Sequence, residues 1–378
     1  MEQYAMIYFD SAGSFPVLDE VRDTFINSVS KYSANPASDH AAGVEAFEEI
    51  EKVRELIADM IGASPSEIVF TSGATESNNL ALKGLLNSKL LENKKHIITS
   101  QAEHKCILSI CGYLETIGYS VTYLKPNSDG IITADEVIKA FRPDTAIVSI
   151  MHVNNELGTI NPIAEIGEAC FEHNICLHTD AAQSFGKLPI DVDDLNVDLL
   201  SLSAHKIGGI KGIGALYIRE ARELDITPVI HGAGQEIGLR GGTVATPLVA
   251  SLGKACEIFP ERFKSAQFSK LRNKLASELV DKAIKYEVNG VSGLPQIVSL
   301  TLPEIDVMTF LLSHREKFAL AQGSACSSKE IEASHVLKAL GFDRDKAERT
   351  IRLSFDFSTS ENSIVELVSE LYRFINRN

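Results

Sequence analysis

Short runs of apolar residues recur along the middle of the chain, at 68–71, 96–100, 121–124, 146–152, 175–180, 198–203 and 215–218. Each has the length and near-continuous hydrophobicity of a strand buried on both faces. Between most of them the period changes, and 105–117, 134–141 and 162–173 place apolar residues at helical spacing. This alternation predicts an α/β fold with a mostly parallel seven-stranded sheet covered by helices. Upstream, 7–14 reads as a short strand running into a turn, 15–30 as a helix, and 45–61 as an amphipathic helix closed by Gly62. Another helix opens at 72–77 and runs to Leu86, and Arg240-Gly-Gly-Thr243 is a tight turn that opens a helix toward Phe259. After Pro260 the pattern changes. A long charged helix (261–285) precedes a strand (297–302), helices (307–313 and 333–340), a strand (350–355) and a last helix (360–377), which predicts a smaller α+β domain. The expected division is a large domain over 15–258 and a small one formed by 1–14 and 259–378.

In sheets of this type ligands lie beyond the carboxyl ends of the strands, and polar residues fall there. His104 follows the strand at 96–100, and Asn154, Asn155 and Glu156 follow Ile150-Met-His-Val. Asp180 and Gln183 follow Leu177-His-Thr, and Ser203, His205 and Lys206 close 198–203, ahead of glycines 208, 209, 212 and 214. A lysine at a strand end before a glycine-rich turn can hold a cofactor aldehyde as a Schiff base, although in isolation such a lysine is more often a solvated surface charge. If the strand continues, Ser203 and His205 face one side and Lys206 the other. The start at Gly73-Ala74-Thr75 is either a plain cap by Thr75 or an anion site built from free backbone N–H groups. The polar turn Asn35-Pro-Ala-Ser-Asp-His40 is either an ordinary loop or a substrate-facing one, with Asn35 donating to a carboxylate.

Composition narrows the function classes. A chain of 378 residues exceeds one ordinary core, and its net charge of −15 argues against direct, tight binding to a nucleic-acid backbone. No basic stretch followed by an apolar core opens the chain, and no apolar run reaches membrane-spanning length, so no signal peptide or membrane association is expected. The cysteines at 106, 111, 170, 176, 256 and 326 form no Cys-x-x-Cys pair. Neither a metal site nor a disulfide framework is expected, and a reducing cytoplasm fits.

A pyridoxal 5′-phosphate site needs a Schiff-base lysine, a carboxylate on the pyridinium nitrogen, an anion nest and a flat partner over the ring. Lys206, Asp180, the Thr75 helix start with Ser203 and His205, and His104 supply these in turn. Cys326 lies in Gly323-Ser-Ala-Cys-Ser-Ser-Lys-Glu330, the composition of an exposed loop, which favours a reactive thiol over a packed one. The other five cysteines carry no expected chemistry, although Cys106, just after His104, could sit near the pocket. His152, His178 and His231 read as packed or hydrogen-bonded strand-end residues.

Thr71-Ser-Gly-Ala-Thr-Glu-Ser-Asn-Asn, Ala102-Glu-His104, Met151-His-Val-Asn-Asn-Glu, His178-Thr-Asp-Ala-Ala-Gln183, Ser203-Ala-His-Lys206 and Gly323-Ser-Ala-Cys326 together resemble the cysteine desulfurases. These belong to the class V aminotransferase group of fold type I pyridoxal phosphate enzymes. The resemblance covers nearly the whole chain in the family's order, and the Gly-Ser-Ala-Cys form is similar to the branch with a longer cysteine loop. It implies conversion of L-cysteine to L-alanine, with the sulfur held as a persulfide on Cys326 and passed to an acceptor protein.

Residue roles follow from the same resemblance. Lys206 would hold the cofactor and move the Cα proton, and His104 would stack on the ring and handle protons at the substrate thiol. Asp180 would pair with the ring nitrogen, and Asn155 and Gln183 would contact the ring hydroxyl, with Asn155 also beside the substrate. Thr75, Ser203 and His205 would bind phosphate, together with Thr243 from the other subunit of a homodimer. Arg352, with Asn35, would bind the substrate carboxylate. The chain departs from the family pattern after Lys206, where it reads Ile-Gly-Gly-Ile-Lys-Gly, and after Arg352, where Leu-Ser-Phe-Asp-Phe replaces the common Leu-Gly-Arg. Iron–sulfur cluster assembly, tRNA thiolation and DNA phosphorothioation all stay open as the destination of the sulfur. A selenocysteine lyase, another class V aminotransferase-type enzyme, or a non-catalytic protein of the same fold are the rival readings.

Overall fold

The computed structural model describes residues 6–88, 91–221, 224–290, 293–323 and 334–376. Its strands, in chain order, are β1 (Ile7–Tyr8), β2 (Ile68–Thr71), β3 (His96–Ser100), β4 (Ser120–Leu124), β5 (Thr145–Ser149), β6 (Cys176–Asp180), β7 (Leu199–Ser203), β8 (Gly214–Ile218), β9 (Glu287–Val288), β10 (Ile297–Thr301), β11 (Phe318–Ala319) and β12 (Thr350–Ser354). The helices are α1 (Asp19–Lys31), α2 (Ala41–Ile61), α3 (Ala74–Asn79), α4 (Lys105–Thr116), α5 (Ala134–Lys139), α6 (Ile163–Glu172), α7 (Thr246–Ser265), α8 (Phe268–Asp281), α9 (Val307–His314), α10 (His335–Ala339), α11 (Arg344–Glu348) and α12 (Glu361–Ile375).

The seven predicted strands form one sheet in the order β2-β8-β7-β6-β5-β3-β4. Its pairs from β7 through β6, β5 and β3 to β4 are parallel, whereas β8 runs against both β2 and β7. Strands β2, β3, β5, β7 and β8 are buried along their whole length, as strands covered by helices on both faces must be. A second, antiparallel sheet has the order β12-β10-β9, and β1 pairs with β11. Bridges from Asp10 to Ser354 and from Ala321 to Arg352 tie this N-terminal pair to β12. No described helix is long and apolar enough to cross a bilayer.

Helix α2 buries Ile50, Val53, Ile57 and Ile61 on one face and ends at Gly62, whose φ of 71° is the left-handed cap that glycine adopts without strain. Two elements differ from the sequence reading. Helix α7 does not stop at Phe259 but runs through Pro260 to Ser265. Proline costs a helix interior about 3 kcal/mol, yet Val249, Leu252, Cys256, Phe259 and Phe263 are all buried at helical spacing on both sides of it. That apolar face outweighs the lost bond. The break falls instead at Ala266, which is extended, so the single helix expected over 261–285 becomes the end of α7 followed by α8.

The two departures from the family pattern have physical accounts. The chain at 209 turns back over Ala204: the Gly209 N–H donates to the Ala204 carbonyl at 2.9 Å, and a Cβ there would lie 2.7 Å from that oxygen. Asp356 caps the turn ahead of α12, accepting from the backbone N–H groups of Ser358 and Thr359 at 2.8 and 3.1 Å. Phe357 packs its ring 4.8 Å from Phe15 and 5.4 Å from Phe259, inside an aromatic cluster that joins the N-terminal turn to α7. Phe259 is fully buried there, so Phe259→Ala is expected to destabilise the protein by about 3–5 kcal/mol. Equilibrium denaturant unfolding measures this, and a loss under about 1 kcal/mol would mean the cluster is not a fixed part of the core.

Candidate active site

The carboxyl ends of β3, β5, β6 and β7 open on one cleft of about 430 Å³, and the start of α3 closes its side. His104, Asn155, Asp180, Gln183, Ser203, His205, Lys206 and Thr75 all line it. Strand β7 ends at Ser203 and Ala204–Lys206 forms a 3₁₀ turn. The strand therefore does not continue, and Lys206 faces the same cleft as Ser203 and His205, not the opposite side.

The Lys206 Nζ donates to the carbonyls of Ala12 and Gly13 at 2.7 and 2.8 Å. Burial, with a lesser push from Arg352, lowers its pKa from the ordinary 10.5 to about 8, against the opposing charges of Asp180 and Asp10. A shift of that size raises the free-amine fraction near neutral pH by about two to three orders of magnitude. Asp180 is buried, and its carboxylate accepts from Asn78 Nδ2 at 2.8 Å and from the Ala182 N–H at 2.9 Å. His104 caps α4, with Nδ1 accepting from the Cys106 N–H at 3.2 Å, and burial lowers its pKa. Burial, then Lys206 and Lys211, push His205 down to about 3, so its imidazole is neutral at physiological pH.

Gln183 is fixed at both ends: Nε2 donates to the Ala12 carbonyl at 2.8 Å and Oε1 accepts from Lys187 at 3.0 Å. Arg352 lies behind the cleft wall, ion-paired to Asp10 and donating to the Asn155 carbonyl at 2.9 Å. The structure does not bring Asn35 to Arg352. Asn35 accepts from the Ala37 N–H and, with Thr243, lines a separate cavity of about 470 Å³ beside the buried Arg54–Glu236 pair. Cys326 lies outside the described residues.

Other neighbours complete the cleft, and among them only Cys106 was legible in the sequence. Cys106 lines the cleft, 3.0 Å from His104 Nδ1 and 3.2 Å from Asn78 Nδ2, and burial raises its thiol pKa to about 12. Its place two residues after His104 is the signal that pointed there. Asn78 sits one helical turn after Thr75, so the same helix face supplies a cleft residue and a buried donor to Asp180. Glu103, fully buried, accepts from the Met151 N–H at 2.8 Å and locks two strand ends together. Lys211 also lines the cleft. His152 and His178 are buried and packed as expected, the latter between the hydroxyls of Ser149 and Ser201, but His231 is exposed and lies in no strand.

The residues fit pyridoxal phosphate. Glycines 13, 73 and 212 line the cleft, and a Cβ at Gly73, where φ is 144°, would crowd the Ser203 hydroxyl at 3.3 Å. Helix α3 begins without a side-chain cap, which leaves its positive end to an anion. A buried carboxylate and a desolvated amine share the same space.

The class-V aminotransferase family model matches residues 7–367. This chain belongs to that family, among its cysteine desulfurases. A mitochondrial cysteine desulfurase from Candida maltosa is 42% identical over 381 residues, covering 98% of this chain and 78% of the relative. The solved structure of SspA in complex with cysteine is 48% identical with a TM-score of 0.84, covering 93% of this chain and 99% of that one. A NifS-like protein is 35% identical with a TM-score of 0.90, covering 99% of this chain and all of the other. The desulfurase's members use pyridoxal phosphate, so the amine of Lys206 has a direct readout. Uptake of the cofactor by apoenzyme, followed by visible absorbance, is expected to accelerate with pH through about 8 and then level off. A rate still climbing past the ordinary lysine value of 10.5 would place the amine in water.

Proposed function

We propose that this cysteine desulfurase collects sulfur from L-cysteine as a persulfide on Cys326 and hands it to an acceptor protein. The observation that carries this reading is a desolvated amine at Lys206 facing the same cleft as the Asp180 carboxylate. When bound, pyridoxal phosphate supplies an aldehyde and an electron-withdrawing ring. Lys206 releases the carbonyls of Ala12 and Gly13 to join the aldehyde and, once freed by substrate, holds and moves the Cα proton. Such a placed base contributes about 10² to 10⁴ in rate. Asp180, oriented by Asn78 and the Ala182 N–H, keeps the ring nitrogen protonated. His104, neutral through burial, stacks on the ring and accepts the proton of the substrate thiol.

Thr75, Ser203 and the neutral His205 donate to the phosphate, and Asn155 and Gln183 contact the ring hydroxyl. Arg352 offers the substrate carboxylate two parallel N–H groups that a lysine could not match. The Cys326 thiolate then attacks the substrate sulfur. An S–S bond forms as the C–S bond breaks, the released electron pair returns to carbon, and protonation yields alanine.

The assembly is a homodimer in which Thr243 serves the partner's phosphate. Exposed Val229, Ile230 and Ile237, on the same stretch of chain as Thr243, give that face its apolar character. The small domain, 1–14 with 259–378, carries Cys326, and the large domain, 15–258, carries the cofactor. A net charge of −15 suits a protein relay over direct contact with nucleic acid, whether the sulfur ends in iron–sulfur clusters, thiolated tRNA or phosphorothioated DNA. The cytoplasm is the compartment assigned, since the described cysteines are free thiols, although the Candida relative is mitochondrial.

Cys326→Ala separates this reading from an aminotransferase. The variant is expected to keep the cofactor's colour and to lose alanine formation from cysteine by about three orders of magnitude or more, together with the protein persulfide detected by mass spectrometry. Unchanged alanine formation would remove the thiol from the reaction.

A further inference from the structure

Arg352 is a guanidinium taken out of water. It is 4% exposed, and such a charge demands a partner. Its Nη2 pairs with the Asp10 carboxylate and its Nη1 donates to the Asn155 carbonyl, while buried Nε meets no acceptor among the described residues. Asp10 is held in place by its backbone. It bridges to Ser354 on β12, and the Tyr8 hydroxyl donates to the carbonyls of both Asp10 and Ser14, at 3.1 and 2.8 Å. The same turn supplies the Ala12 and Gly13 carbonyls that hold Lys206.

Position 13 is what lets the Asp10 carboxylate occupy this place. A Cβ on Gly13 would lie 2.6 Å from Asp10 Oδ2 and 2.9 Å from its Cγ. Any side chain there would push the carboxylate off Arg352. Gly13 does not have a positive φ, so space rather than backbone conformation explains the residue.

We propose that Asp10 is the resting counter-ion of Arg352, a carboxylate built into the chain that the α-carboxylate of substrate or product must displace. This rests on the reading of Arg352 as the carboxylate-binding residue. Asp10 acts through Arg352 and is a positioning residue, not a catalytic one. A guanidinium edge that already holds one carboxylate cannot offer the same N–H groups to a second, so only the fraction of molecules with Arg352 released is competent. Apparent affinity is reduced by that fraction. The exchange loosens cysteine, and it equally favours departure of alanine, because Asp10 returns as the product leaves.

The test uses the holoenzyme titrated with L-alanine, which carries no sulfur, with the bound cofactor's visible absorbance as the readout. Ethylamine, alanine without its carboxylate, is the control for general effects on Lys206, whose charge Asp10 also favours. Relative to ethylamine, Asp10→Asn and Gly13→Ala are each expected to bind L-alanine about tenfold more tightly and to lower KM for cysteine in parallel. Two variants that act on different atoms keep the test open if one folds poorly. Equal or weaker L-alanine binding in Asp10→Asn, or an equal change for ethylamine, would overturn the counter-ion role. Arg352→Gln reports separately on the reading beneath it. Loss of L-alanine binding supports that reading, whereas unchanged binding would remove Arg352 from the carboxylate site and the proposal with it.

Discussion

The Lys206 amine is removed from water, and much of the surrounding structure serves to make that tolerable. Two carbonyls of the N-terminal turn accept its protons, at 2.7 and 2.8 Å. Desolvation lowers its pKa to about 8, so the amine is available as a nucleophile and base near neutral pH. The N-terminal turn is held beside Lys206 by the pairing of β1 with β11, by the Asp10 bridge to β12 and by the Phe15 N–H, which donates to the His205 carbonyl at 2.9 Å. A chain segment far from the large sheet in sequence thus completes the environment of a residue at its centre.

The same economy recurs around the cleft. Asn78 donates to both Asp180 and Cys106, and Cys106 in turn lies against His104. Asp180, Cys106 and His104 are therefore held in one hydrogen-bonded chain through Asn78 on α3. Glu103 and Asn154 lock the ends of β3 and β5 together, through the Met151 N–H and the Ala102 carbonyl. These contacts hold His104 and Asn155 at fixed positions before any ligand arrives, which is how a site on strand ends gains precision.

Much of this was legible in the sequence, for physical reasons. Strands buried on both faces leave near-continuous apolar runs, so the seven-stranded sheet and its polar carboxyl ends were visible at once. What depended on long-range packing was not. Pro260 marks a helix end by local rules, yet the buried stripe from Val249 to Phe263 carries α7 through it. The facing of Lys206 hung on whether β7 continues past Ser203, and the turn that ends it there has no local signal strong enough to decide. Asp10, Gly13 and Asn78 carry no local signal of their own, since their partners lie between roughly 100 and 350 residues away along the chain or act only through space. Asn35 and Thr243 show the other limit, as residues that a single chain leaves outside the cleft.

The central claim is that one particular amine captures the aldehyde. Lys211 lines the same cleft and Lys187 bonds to Gln183 on its wall, so these are the two rival amines. Reducing the cofactor-loaded protein with borohydride fixes the cofactor to whichever nitrogen holds it, and peptide mass spectrometry then locates the adduct. The account predicts that the label lies on Lys206 alone. A label on Lys187 or Lys211, or none at all on a coloured protein, would contradict it.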